Sequence, residues 1–241
     1  MSPVARGLAL ALLLLMGAVP VAARHGVDGF DARHPTPGIQ LTLVERTAPG
    51  TTGYRLTTAG VPRGVLFNIW AKEFGGPFRP VASGFRVNEA GILETVDEAG
   101  QPRRLDDVVL DPGDYPRGAA WEVALVSADH SVVAVTKTTP RPIAARHGPC
   151  AVSLELASRR GDRFIVATQG FEVGEPVVVQ LQQAAGTTNK ELYVPPAGRI
   201  PLDVIIHGVA GPDHRARYTV RGRACEVAVD YTWGEPALTR R

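Results

Sequence analysis

The sequence lacks the short motifs that mark common catalytic centres. It contains no G-x-S-x-G turn, no phosphate-binding P-loop, no H-E-x-x-H pair and no C-x-x-C pair. It has only two cysteines, Cys150 and Cys225, and neither can act as a nucleophile if the two form a disulfide. We therefore expect a protein that is not an enzyme, with no catalytic residue, no bound metal and no cofactor.

An excess of charge of either sign is also absent. Residues 1–23 contain one charged residue, Arg6, and without it the chain carries 25 basic and 24 acidic residues. A nucleic-acid-binding protein normally has a clear excess of basic residues, so the composition argues against a nucleic-acid partner. Only three of the basic residues are lysines, Lys72, Lys137 and Lys190, and the bias of a GC-rich genome accounts for this preference for arginine.

Long apolar runs are missing except near the N-terminus. There, Arg6 precedes an apolar stretch of about 12 residues, and small residues follow at Val21-Ala22-Ala23. This pattern is typical of a secretory signal peptide and is too short for a comfortable membrane span, although an uncleaved anchor is the alternative. We expect the mature protein to be exported to the periplasm or the cell exterior and to keep no transmembrane segment.

No segment has a convincing helical period, whereas two-residue alternation recurs along the chain. The 26 glycines and 20 prolines punctuate short runs such as Ile39–Val44 and Trp121–Ser127. The pattern predicts an all-β protein of two tandem antiparallel β-sandwich domains. The predicted segments are a signal peptide at 1–23, a mobile N-terminal arm at 24–38, a first sandwich at 39–138, a Pro-rich linker at 139–149, a second sandwich at 150–235 and a C-terminal tail at 236–241.

One stretch, residues 170–182, organises this interpretation. A turn at Gly174-Glu175-Pro176 leads into the apolar run of a strand, and shorter versions occur where Gly64 and Gly118 precede apolar runs. A second element, V-N-E-A-G-I at 87–92, matches V-P-P-A-G-R-I at 194–200 with one residue added, and each follows its turn glycine by about 25 residues. The repeats predict two units of related topology.

The pattern GF-x-x-GE-P-VVV, the V-x-x-A-G element and a final cysteine-containing strand resemble immunoglobulin-like modules of exported bacterial proteins. The resemblance covers 150–233 best and 39–138 more loosely. It implies that both tandem antiparallel β-sandwich domains are immunoglobulin-like, and it assigns no functional residues, because these motifs encode strand and turn geometry.

The two cysteines lie on the apolar sides of their own strands. Cys150 alternates in phase with Val152 and Leu154, and Cys225 is in phase with Val227 and Val229. In an exported chain this favours a disulfide between the first and last strands of the second sandwich, with buried free thiols as the alternative. Closing a loop of about 75 residues stabilises the fold by roughly 4 kcal/mol in the chain-entropy model.

Arginines form the one surface feature that suggests a partner. Arg215, Arg217 and Arg221 are expected to project outward from one strand, with Arg223 just beyond its turn. If they meet Arg159, Arg160 and Arg163, the group would suit an anionic glycan, a lipid headgroup or an acidic partner. Composition bias with local pairing to Asp213 or Glu226 is the alternative.

Two acidic segments resemble metal-ligand patterns without matching a known one. His25, Asp28, Asp31 and His34 recur every three residues in a segment whose glycines argue against a helix. The aspartates between Asp106 and Asp114 would suit Ca²⁺, but Asp-Pro-Gly-Asp is also ordinary turn chemistry. Neither segment predicts a metal site.

These observations lead to one functional expectation with two alternatives. We expect an exported, non-catalytic binding or scaffolding protein whose partner is a protein or glycan of the cell envelope. The alternatives are a secreted metal-dependent or carbohydrate-active β-sandwich enzyme and a protein resembling the periplasmic pilus chaperones, although no characteristic segment of that family is present.

Overall fold

The computed structural model of the protein describes residues 29–48, 51–196, 198, 200–208 and 213–239. The predicted signal peptide, 1–23, lies outside the described residues. Within them the chain is all-β, with antiparallel strands and a single short helix, α1 (Glu235–Leu238). No helix of the described part has the length and apolar character that crossing a bilayer requires.

The first sandwich contains nine strands in two sheets. They are β1 (Gln40–Ala48), β2 (Thr51–Ala59), β3 (Leu66–Lys72), β4 (Phe78–Val87), β5 (Leu93–Val96), β6 (Pro102–Arg104), β7 (Val109–Leu110), β8 (Trp121–Ser127) and β9 (Val133–Thr138). A three-stranded sheet with the order β1-β2-β7 faces a six-stranded sheet with the order β6-β5-β4-β3-β8-β9. Between the sheets, Tyr54 packs against Trp121 with ring centroids 5.6 Å apart.

The second sandwich contains eight strands in two four-stranded sheets. They are β10 (Ile143–His147), β11 (Cys150–Leu156), β12 (Arg163–Gln169), β13 (Pro176–Gln183), β14 (Gly186–Tyr193), β15 (Asp203–Ile206), β16 (Arg215–Arg221) and β17 (Glu226–Thr232). Their orders are β10-β11-β12-β15 and β14-β13-β16-β17. Every strand pair in both sandwiches is antiparallel.

The two sandwiches share one strand order, as the sequence repeats predicted. The order β1-β2-β7 corresponds to β11-β12-β15, and β4-β3-β8-β9 corresponds to β14-β13-β16-β17. Gly64 and Gly174 precede the equivalent strands β3 and β13, with φ of 78° and 83° that favour glycine. In both units the chain passes between the sheets, which is the Greek-key connection of immunoglobulin-like sandwiches.

The linker predicted over 139–149 is not a free spacer. Residues 143–147 form β10, which pairs with β11 from Ile143 opposite Leu154 to His147 opposite Cys150. The three prolines lie outside this ladder, at Pro140, Pro142 and Pro149, and β10 is an edge strand, where flanking proline is tolerated. The segment therefore belongs to a sheet of the second sandwich.

The arm predicted over 24–38 is docked where the structure describes it. Phe30 is buried and packs against Trp70 and Phe78 on the outer face of the six-stranded sheet. Thr36 donates its backbone N–H to the carbonyl of Val133 at 2.7 Å, and its hydroxyl accepts the Val133 N–H. Residues 29–38 thus cover part of the first sandwich, which corrects the prediction of a mobile segment there.

Three local features interrupt the regular strand pattern. The run Leu105–Leu110 forms a 3₁₀ turn at Leu105–Asp107 followed by the two residues of β7. Two register shifts between β3 and β4 add one residue to β4 between Ala82 and Phe85 and another between Pro80 and Ala82, and Val81 is exposed whereas Phe85 is buried. In the predicted tail, Pro236–Leu238 are helical and Ala237 is buried against the core.

The predicted disulfide is present between Cys150 and Cys225. Cys150 opens β11 in one sheet and Cys225 immediately precedes β17 in the other, with Cα atoms 6.4 Å apart and 75 residues between them in sequence. The bond therefore ties the two sheets of the second sandwich together at one end.

The sandwiches are joined by backbone hydrogen bonds as well as by the chain. The Gly118 N–H donates to the carbonyl of Arg141 at 2.7 Å, and the Gly118 carbonyl accepts the Leu156 N–H at 2.9 Å. Ala119 and Leu156 form a parallel β-bridge, and the buried side chains of both sandwiches belong to one apolar cluster. The turn before β8 is thus built into the end of the second sandwich.

Candidate functional site

The arginines predicted to project from β16 do so. Arg215, Arg217 and Arg221 are exposed, whereas Ala216 and Tyr218 point inward and are buried. The alternation follows from the two-residue period of a strand whose inner face packs on the core.

Local ion pairs occupy part of this row. The Arg221 guanidinium lies 2.6 Å from the Glu226 carboxylate, and their hydrogen bond holds the pKa of Glu226 below its usual value. Arg217 lies 3.4 Å from both carboxylate oxygens of Asp230, a longer contact between two well-exposed side chains. Such exposed pairs contribute little to stability because water screens them. The pairing with Glu226 considered as an alternative is thus present for Arg221, whereas Arg217 contacts Asp230, and Arg223 lies exposed beyond them.

The second group of arginines does not join the row. Arg160 pairs with Asp162 at 3.1 Å, and the Arg159 side chain lies against Gly75 of the first sandwich. Neither these two nor Arg163 lines the groove that contains Arg215.

That groove, here called the junction groove, lies where the two sandwiches meet. It consists of two adjoining depressions of about 690 and 430 Å³. Both are lined by Arg117, Asp213, Arg215 and Thr232. The larger extends over Arg217, Asp230 and the end of β13, and the smaller extends to Arg141 and α1.

Arg117 is the functional candidate that the sequence interpretation missed. It sits in the Tyr115-Pro116-Arg117-Gly118 turn of the first sandwich, about 100 residues from Arg215 along the chain. The sequence indicates that this turn precedes a strand, but no periodic pattern links it to β16. The hydrogen bonds of Gly118 to Arg141 and Leu156 bring it to the end of the second sandwich.

Part of the basic charge in the groove has no ion-pair partner. Arg217 and Asp230 form the weak pair described above. Among the described residues, no carboxylate lies within ion-pair distance of the guanidinium of Arg117 or Arg215. Asp213 also lines both depressions, where it accepts the backbone N–H of Arg215 at 2.9 Å and so caps the start of β16. Guanidinium groups that line one groove without an ion-paired carboxylate favour a bound anion, because guanidinium binds carboxylate and phosphate through paired hydrogen bonds.

A buried polar layer lies directly beneath the groove. His207 is buried and stacks on Trp233, with ring centroids 4.5 Å apart and planes 7° from parallel. Its ring nitrogens lie 3.2 Å from Gln183 Oε1 and 3.0 Å from the Tyr231 hydroxyl, and both partners also line the groove. Burial lowers the pKa of His207 from 6.5 to about 4, so the ring is neutral at physiological pH.

This histidine makes the fold sensitive to acid. Between pH 6.5 and about 4 the unfolded chain protonates His207 while the folded protein does not, so stability is lost as the pH falls through that window. We expect His207 to contribute a loss on the order of 2 kcal/mol between pH 7 and pH 4. Urea unfolding at both pH values should show a smaller pH dependence for His207→Gln than for the wild type. The exposed His147→Asn serves as control, and an unchanged slope in His207→Gln would contradict the assignment.

The remaining histidine and acidic candidates are arranged for other roles. Asp31 and His34 pair with each other at 2.7 Å, while His25 and Asp28 lie outside the described residues. Asp106 binds Arg104, and Asp111 accepts the Gly113 N–H within its own turn. In the described ranges no group of three or more His, Cys, Asp or Glu side chains is placed to hold a metal ion.

The first sandwich has a separate cleft of about 570 Å³ beside Tyr115. Its lysine and arginine are already paired, Lys72 with Glu122 at 2.9 Å and Arg79 with Glu73 at 2.6 Å. The Tyr115 hydroxyl donates to the Lys72 carbonyl, and burial raises the pKa of Tyr115 to about 12. The cleft therefore offers fewer unused charged groups than the junction groove.

The strand order and the disulfide define the class of protein, a tandem immunoglobulin-like β-sandwich. No protein-family model and no curated protein sequence matches the chain. Among solved structures, the selenomethionine-substituted chicken interferon gamma receptor alpha chain is similar to it at 9% identity, with 82% of this chain and 98% of that chain covered and a TM-score of 0.22.

Proposed function

We propose that the protein is an exported, non-catalytic binding protein of the periplasm or cell exterior that recognises an anionic ligand in the junction groove. It belongs, in this proposal, with the immunoglobulin-like modules of exported bacterial proteins that its sequence resembles. The observation that carries the proposal is that Arg117 and Arg215 line the same concave surface and that, among the described residues, neither guanidinium group has a carboxylate within ion-pair distance.

Two further observations support this assignment. The Cys150–Cys225 disulfide suits an oxidising compartment outside the cytoplasm, where such bonds persist. The near-neutral composition, with 25 basic and 24 acidic residues after residue 23, argues against a nucleic acid as the anion. The partner in this proposal is therefore a protein or glycan of the envelope that carries local acidic groups.

Removing the two groove arginines tests the proposal. We expect Arg117→Ser with Arg215→Ser to weaken binding to a carboxylated matrix by about a hundredfold, because each charge-assisted hydrogen bond contributes roughly 1.5 kcal/mol or more. Both side chains are exposed, so the variant should fold normally. Retention of the wild type should also fall as ionic strength rises above about 0.1 M, where charges about 10 Å apart are screened.

A matched variant separates groove binding from general charge. Arg221→Ser with Arg223→Ser removes the same number of arginines from the far end of β16, where Arg221 is already paired with Glu226. It should keep most of the wild-type affinity. Equal losses of affinity in the two double variants would show that the arginines act only through non-specific charge. Unchanged affinity in the Arg117/Arg215 variant would show that the groove is not the binding site.

A further inference from the structure

The outer face of the sheet β14-β13-β16-β17 continues from the junction groove. Gln182 lies between Thr187 of β14 and Arg217 of β16 in the strand register. One row further from the groove, Gln180 lies between Asn189 and Thr219. Gln180 and Gln182 alternate along β13 with the inward-facing Val179 and Leu181, and their partners in the register share their outer face.

Uncharged hydrogen-bonding groups dominate the two rows. Gln180 donates from Nε2 to Asn189 Oδ1 at 3.0 Å, and this contact leaves the amide nitrogen of Asn189 and the carbonyl oxygen of Gln180 for a further partner. Amides and hydroxyls both donate and accept, as the hydroxyl groups of a sugar do. A flat row of such groups on a rigid sheet suits a ligand that is rich in hydroxyls.

An exposed aromatic ring ends this face on the side away from the groove. Tyr193 is 67% exposed and lies in phase with Asn189 on β14, with Pro176 opposite it on β13. Tyrosine presents a flat apolar ring with a polar tip, which suits stacking against the apolar side of a sugar ring. Because most of the side chain is exposed, packing against the core does not explain why a tyrosine lies here.

We propose that the groove and this sheet face together bind an acidic polysaccharide. A carboxylate of the glycan lies between Arg117 and Arg215, and the neighbouring sugar rings extend over the Gln182 and Gln180 rows towards Tyr193. This inference rests on the proposed function, because it places the anion in the same groove, and it adds the chemical class of the ligand.

The charges on the face favour a glycan over a densely acidic peptide. Asp230, Glu226 and Glu191 lie on this face beside the arginines and amides. A polypeptide with a carboxylate on every residue would meet these acids at close range, and like charges opposite each other are unfavourable. A polyuronate also carries a carboxylate on each sugar, but each sugar adds hydroxyl groups that can donate hydrogen bonds to these acids.

Calorimetry with four polymers and one small carboxylate tests the inference. The probes are oligogalacturonate, oligomannuronate, the fully methyl-esterified oligogalacturonate and polyglutamate of matched length, with citrate as a small carboxylate that fits the groove alone. We expect the wild type to bind one or both oligouronates at least about tenfold more tightly than citrate and polyglutamate. The esterified form should bind at least about tenfold more weakly than its parent because its carboxylates are masked.

Variants of the face distinguish this inference from the proposed function. Gln180→Val with Asn189→Val keeps strand-forming residues at exposed positions and removes the amide pair. It should weaken oligouronate binding about tenfold and leave citrate binding unchanged, whereas Arg117→Ser with Arg215→Ser should lose both. Ser153→Val, on the outer face of the other sheet, is the control.

Each outcome decides one claim. If citrate and all polymers fail to bind the wild type, the proposed function and this inference both fail. If citrate binds but neither oligouronate binds more tightly, or if polyglutamate matches them, only the glycan is overturned. Should the amide variant fail to fold, Tyr193→Ser takes its place, and unchanged oligouronate affinity in that variant overturns the inference.

Discussion

Removal of the Cys150–Cys225 disulfide is expected to lower the free energy of unfolding by roughly 4 kcal/mol. The bond closes a loop of 75 residues and joins strands of opposite sheets, so its loss frees a large part of the second sandwich in the unfolded state. The double variant Cys150→Ala with Cys225→Ala, which avoids side reactions of free thiols, should show this loss in urea unfolding monitored by circular dichroism.

The first sandwich provides the internal control for this experiment. It contains neither cysteine, so hydrogen exchange of β3 and β8 should change less than that of β11 and β17. Equal loss of protection in both sandwiches would show that the shared apolar cluster makes them unfold as one unit. A native protein with two free thiols would contradict the disulfide itself.

Gly170→Ala is expected to destabilise the second sandwich by about 3–4 kcal/mol. Gly170 has φ of 81°, and a Cβ atom there would overlap the backbone carbonyl oxygen of Pro149. A rotamer change cannot relieve this clash, because the backbone of residue 170 fixes the position of the Cβ atom and the Pro149 oxygen is itself a backbone atom. Since Pro149 precedes Cys150, relief would require the start of β11 to move.

Gly174→Ala is the matched control in the same loop. Its φ of 83° is nearly identical, but no atom lies within 4 Å of the added Cβ. This variant should lose only about 1–2 kcal/mol from the left-handed backbone conformation. Thermal or urea unfolding of both variants measures the difference, and equal losses would mean that the contact with Pro149 has no energetic weight.

Much of the fold follows from alternation alone. Cys150 and Cys225 were placed on apolar faces by their neighbours, and the period that put Val227 inward also put Arg217 and Arg221 outward. Strands with one buried face carry this signal strongly because a shift of one residue would reverse every side chain. The turn glycines added the repeat, since a positive φ at Gly64 and Gly174 marks equivalent positions of the two units.

Edge strands and contacts between the sandwiches could not be predicted in the same way. β14 is exposed along nearly its whole length, so residues 186–193 show no apolar alternation, although all eight pair with β13. The prolines that flank β10 made this segment resemble a linker, so its strand was not predicted. The meeting of Arg117 with Arg215 depends on how the sandwiches are joined, and no local pattern in the sequence contains that information.

The way Gly118 is held has a consequence for how fast and how selectively a ligand can be captured. Its amide and its carbonyl are both bonded across the junction, so the backbone of the adjacent Arg117 is already placed before a ligand arrives. Recognition then needs no closure of one sandwich on the other, and the conformational entropy lost on association is mainly that of the arginine side chains. A pre-organised groove of this kind selects ligands by their fixed geometry, and its affinity depends mainly on the rate at which they leave.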